Sequence, residues 1–82
     1  MITSLNKLPL NCSGFIMDIK ASNTIKRRLL DLGVINGVCI TPILKSPLKD
    51  PRAYLVKGSV IALRNGDSKN IIVSAEKNYK EV

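Results

Sequence analysis

The sequence has no histidine and no tryptophan, and only two cysteines, one phenylalanine and two tyrosines. Each shortage excludes something. Without histidine, the commonest general acid–base group at neutral pH is missing. The carboxylates Asp18, Asp31, Asp50, Asp67, Glu76 and Glu81 stand singly along the chain, so no close pair offers an acid–base couple. Neither Cys12 nor Cys39 has a histidine to activate its thiol. No glycine pattern matches a P-loop or a dinucleotide fingerprint. No catalytic residue is assigned, and no enzyme activity or cofactor is expected.

A metal centre lacks its usual donors as well. Zinc and ferrous iron sites draw on histidine, clustered cysteine or grouped carboxylates. Cys12, Cys39, Met17 and Asp18 would meet only by accident of folding, so no metal ligand is assigned. The two cysteines form no C-x-x-C pair, which fits a reducing compartment. Each is flanked by apolar or small residues, and each is expected to serve as a small buried hydrophobe.

Long apolar runs are also missing. No segment approaches the about 18 apolar residues that a membrane-spanning helix needs. Residues 1–10 lack the charged start and apolar run of about 7–15 residues that mark an export leader. A soluble, cytoplasmic protein is expected, with membrane association only through a partner.

What is present is aliphatic and basic. Hydrophobic residues make up 45% of the 82, and the scarcity of aromatics leaves the core to Ile, Leu and Val. At this length one domain is expected over residues 1–82, burying only about 60–65% of its unfolded surface. The net charge is +7. Residues 23–64 carry six of those charges, with Lys26, Arg27, Arg28, Lys45, Lys49, Arg52, Lys57 and Arg64 set against Asp31 and Asp50. Such a balance favours acidic partners, whether nucleic acid, an anionic surface or an acidic protein face. A solubilising surface is the more ordinary explanation for a small domain. Against nucleic acid stand the near-absence of stacking aromatics and the zero net charge of residues 65–82.

The chain's one helical pattern is Ser22 to Gly37, SNTIKRRLLDLGVING. Ser22 or Asn23 can cap its start. Ile25, Leu29 and Leu32 stand at i, i+4 and i+7, with Leu30 widening the stripe. Gly33 falls where a left-handed residue ends a helix. At two to three turns the helix is too short to stand alone and must dock on a sheet.

Around it lie short strand patterns. An extended lead-in carries Leu5, Leu8 and Leu10. Strands are expected over 15–20, 38–44, 52–57, 60–64 and 71–73, separated by turn residues. Pro42 marks an edge or a bulge, and Asp67 could cap one helical turn. Residues 75–82 are expected to fray. Five strands and a short helix point to a small β-barrel, since closure removes exposed sheet edges.

The segment RRLLDLGVING (Arg27–Gly37), the loop Pro47-Leu48-Lys49-Asp50-Pro51, the strand Ile61-Ala62-Leu63-Arg64 and the final Ile71-Ile72-Val73 together resemble the FeoA family of bacterial ferrous-iron-transport accessory proteins. The resemblance covers about residues 5–74 and rests on Leu29, Leu32, Gly33, Gly37, Pro47, Asp50, Pro51, Leu63 and Arg64. In the lead-in, Leu8, Gly14 and Ile19 also match the family. Asn36 departs from it where proline is common, and Lys49 where glycine is common.

The resemblance implies an SH3-like β-barrel of about five strands with one inserted helix. It also implies a small cytoplasmic partner of FeoB, the membrane ferrous-iron transporter with a cytosolic G-domain. The same module resembles the C-terminal part of some iron- and manganese-dependent repressors, so a regulatory module of that type is the alternative, and a basic nucleic-acid-binding barrel a further one. The family is often labelled as transition-metal binding, although no ligand set is found here. For a protein contact, Lys26 and Arg27 on the helix and Lys49 and Arg52 around the loop are the candidate partner-binding residues. Arg28 and Arg64 are the candidates for structural arginines, with stems lying on the barrel.

Overall fold

In the computed structural model, residues 1–75 are described. Six strands follow the order β1 (Ile2–Ser4), β2 (Gly14–Ile19), β3 (Cys39–Lys45), β4 (Arg52–Val56), β5 (Ser59–Leu63) and β6 (Ile71–Ala75). A 3-10 turn, Leu5–Lys7, follows β1. Helix α1 (Asn23–Asp31) lies between β2 and β3, and a one-turn helix α2 (Asn65–Ser68) between β5 and β6.

The strands form a single antiparallel sheet in the order β1-β6-β2-β3-β4-β5. This corrects the expected five-stranded closed barrel. A sixth strand exists because Ile2, Thr3 and Ser4 pair with Ser74, Val73 and Ile72. Three residues are too few to show a strand period. The pairings leave the sheet unclosed, with β1 and β5 as its edges.

The sheet is nevertheless strongly curled. Ile16 from β2, Ile40 from β3, Tyr54 and Val56 from β4, Leu63 from β5, and Ile71 and Val73 from β6 all join one buried cluster. Register shifts between Ile16 and Asp18 and between Pro42 and Leu44 supply the bends. Pro42 thus sits at a bulge in an interior strand and not on an edge. Ala75, expected to fray, is buried and paired with Gly14. The remainder of that expected tail, residues 76–82, lies outside the described residues.

Gly14 is required where β2 crosses the lead-in. A Cβ there would stand 3.1 Å from Val73 Cβ and 3.3 Å from Leu8 Cδ2. Leu5 and Leu8, which open the chain, are fully buried in the cluster.

Helix α1 begins as the residue types require. The Ser22 hydroxyl oxygen accepts from the Ile25 N–H at 3.3 Å. Its exit differs from the simple stripe. Gly33 has φ +92, the Gly33 N–H donates to the Leu30 oxygen and the Val34 N–H to the Leu29 oxygen, both at 2.9 Å. This is a Schellman end, in which the residue after the glycine packs on the last inward-facing one. Leu29 and Val34 are accordingly both fully buried. Leu32 is 40% exposed and Leu30 55% exposed, so the expected Ile25–Leu29–Leu32 stripe is corrected to Ile25, Leu29 and Val34.

Candidate interaction surface

The four candidate partner-binding residues do not form one patch. Lys26 and Arg27, on α1, line a shallow depression of about 350 Å³ with Asn23 and Leu30. Lys49 and Arg52 line a larger cleft of about 540 Å³, formed where the lead-in meets the end of β3, the following loop and the start of β4. Neither depression holds members of both pairs.

The helix separates its three consecutive basic residues by role. Arg28 Nη2 donates to Asp67 Oδ2 at 2.7 Å, joining α1 to α2. Asp67 therefore serves as an ion-pair partner and not as the expected helix cap. Lys26 and Arg27 are exposed and enter no ion pair among the described residues. The structural reading of Arg28 thus takes the form of a surface ion pair, while Arg64 is exposed just before α2.

In the larger cleft, Arg52 is held by the main chain. Nη1 donates to the Asn6 oxygen at 2.9 Å and Nη2 to the Leu8 oxygen at 2.8 Å. The guanidinium carbon lies 5.6 Å from the centroid of the Tyr54 ring. This arginine keeps its charge at the cleft but is fixed in place, acting as a clamp between β4 and the lead-in.

Lys49 is exposed on the loop with φ +69. That left-handed backbone is the conformation glycine adopts without penalty. The loop is fastened around it. The Lys49 N–H donates to the Ser46 oxygen at 2.8 Å, and Asp50 Oδ1 accepts from the Asn65 N–H at 2.8 Å. Pro47 and Leu48 form the exposed turn, Asp50–Pro51 is a cis peptide bond, and Leu63 is buried behind it. Gly37, at φ +89, donates its N–H to the Ile16 oxygen at 2.6 Å and ties the helix exit to β2.

Two basic residues of this cleft were not singled out from the sequence. Lys7 and Lys45 line it together with Lys49 and Arg52, beside Asn6, Leu8, Pro9, Leu10 and Asn65. Only the fold brings Lys7 to the end of β3. Among the described residues, no acidic side chain lines the cleft.

Metal-binding chemistry is not supported by these side chains. Among the described residues, no three or more of Cys, Asp or Glu group together so as to hold a metal ion, and the chain has no histidine. Cys39 is exposed and Cys12 half-buried, so the expected burial of Cys39 is corrected. In the register Phe15 opposes Cys39 while Ile40 opposes Gly14, which turns Ile40 inward and Cys39 outward. No helix of the described residues is long and apolar enough to cross a membrane.

Comparison with known proteins agrees with this architecture. A protein of Porphyromonas gingivalis, an Fe(2+) transport protein A/Fe(2+) transporter FeoB fusion, is 28% identical over 69 residues, 84% of this chain. The chain spans only 8% of that protein's length. A Stenotrophomonas maltophilia FeoA, solved in complex with zinc and described as a prokaryotic SH3 domain protein, is 31% identical. Its TM-score is 0.73, over 90% of this chain and 95% of that one. A FeoA-like protein of Clostridium acetobutylicum is 26% identical with a TM-score of 0.82, covering 90% of this chain and 86% of that one. With the FeoA domain matched over residues 3–75, the chain belongs to the FeoA family.

Proposed function

We propose that this chain is a non-catalytic accessory module of ferrous iron transport that acts in the cytoplasm, by contact with the cytosolic part of a FeoB-type transporter. The observation that carries this reading is the fusion in Porphyromonas gingivalis, where a FeoA-like segment and a FeoB transporter share one polypeptide. A covalent link gives two modules a high effective concentration. A separate chain must instead find its partner through its own surface. Lys26 and Arg27, exposed and in no ion pair among the described residues, are suited to that task together with Lys49 and the fixed Arg52. Such charges act mainly on association rate and orientation. Ferrous iron is then the transporter's cargo and not a ligand of this chain.

The test is retention of the chain by the immobilised cytosolic part of the FeoB-type transporter from the same organism. Retention that weakens as salt rises is expected. If nothing is retained even at low salt, the reading fails.

A further inference from the structure

The segment from β3 to β4 shares Lys49 and Arg52 with the proposed transporter contact, but it also carries exposed leucines that a charge-guided contact does not use. Leu48 is 87% exposed, and Leu44 before it is 63% exposed. Leu48 occupies the exposed turn of the loop and does not line the adjoining cleft. Lys7, Lys45 and Lys49 are exposed beside that cleft, and none enters an ion pair among the described residues.

The acid nearest in sequence, Asp50, has one carboxylate oxygen engaged by the Asn65 N–H. Lys49 keeps a long charged side chain at a φ of +69, where a glycine would be free of steric cost. An exposed leucine on a loop beside a cleft lined by cations is the arrangement that suits a planar interface, apolar beneath and anionic at its rim.

We propose that the loop of residues 44–52 is a peripheral membrane contact for bilayers containing anionic lipid. Leu48 enters the boundary between headgroups and acyl chains. Lys45, Lys49 and Lys7 meet the lipid phosphates, and the cleft of about 540 Å³ fixed by Arg52 admits a headgroup. An acidic peptide is the rival occupant. It would use the cleft but leave Leu48 outside it, so the protruding side chain favours the bilayer. This departs from the expectation that the chain reaches a membrane only through a partner, and it requires no transporter.

The test is co-sedimentation of the full chain with vesicles of phosphatidylcholine alone or of phosphatidylcholine and phosphatidylglycerol in equal parts. Binding only to the anionic vesicles is expected. Leu48→Ser leaves the charge unchanged and removes an exposed side chain, so the thermal midpoint should hold while the partition coefficient falls about tenfold. Lys45→Gln with Lys49→Gln should lower it about fivefold per charge. Because the chain has no tryptophan, Leu48→Trp places a single probe at the tip, and its emission should shift to the blue on anionic vesicles. Three results would each overturn the proposal: no co-sedimentation, undiminished binding by Leu48→Ser, or a bound Leu48→Trp chain whose emission remains that of a water-exposed indole. Loss of transporter retention in the Lys45/Lys49 variant, with no vesicle binding by the parent chain, would assign the cleft to an acidic protein segment instead.

Discussion

Arg52 donates from Nη2 to the main-chain oxygen of Leu8 at 2.8 Å, across 44 positions of sequence. Its Nη1 donates to Asn6, two residues earlier. One side chain thus fastens the lead-in, with its buried Leu5 and Leu8, to the start of β4. Hydrogen bonds from a charged donor are worth more than neutral ones, and their loss strands two carbonyl oxygens. Arg52→Ala should destabilise the domain by about 2–3 kcal/mol. For a chain of this size that corresponds to a thermal midpoint lowered by about 10 °C or more. A midpoint unchanged by calorimetry would show that the clamp contributes nothing.

Beneath Arg52 the Tyr54 side chain is fully buried, and its hydroxyl has no hydrogen-bond partner among the described residues. A buried hydroxyl without a partner costs desolvation energy that phenylalanine does not incur. Tyr54→Phe should therefore be neutral or raise stability by about 1 kcal/mol, read as a higher urea midpoint with the same slope. A loss of stability would mean that the hydroxyl bonds an internal water.

A Cβ at Gly14 would meet Val73 and Leu8 at 3.1–3.3 Å, so these neighbours would have to give by a few tenths of an ångström to admit a methyl group. Two of the nearest atoms belong to Val73, whose branched side chain is fixed in the core and cannot retreat cheaply. Gly14→Ala should cost about 1–3 kcal/mol by overpacking. Native-state hydrogen exchange should locate the loss at the β2–β6 pairing, while α1 keeps its protection. Uniform loss across the domain would place the strain elsewhere.

The features legible in the sequence were those set by local chemistry. A cap at Ser22 or Asn23, a left-handed Gly33, an edge or bulge at Pro42 and the strands of the second half each follow from residue types at short range, and the structure selects Ser22 and the bulge. Properties set by pairing were not legible. The i, i+4, i+7 spacing marks Leu32 as inward, but the Schellman end turns the chain so that Val34 takes that place. Strand β3 reads Cys-Ile-Thr-Pro-Ile-Leu, with too few polar residues to show which side is wet, so only the register with β2 reveals Cys39 as exposed. Strand β1 is too short to carry a period. The basic cleft is likewise a tertiary product, since Lys7 and Lys45 come from the first turn and from β3. Charge counting located the excess in the middle of the chain but could not show that it divides into two separate depressions.

The central claim, contact with a FeoB-type transporter guided by basic side chains, is tested most directly by association kinetics. The domain and the cytosolic part of its transporter would be mixed at several salt concentrations. The parent chain would be compared with a Lys26→Glu/Arg27→Glu variant of unchanged thermal midpoint. The account predicts an association rate that falls as salt rises and is several-fold slower in the variant, with a dissociation rate little altered. No measurable association, or an association rate indifferent to both salt and charge reversal, would contradict it.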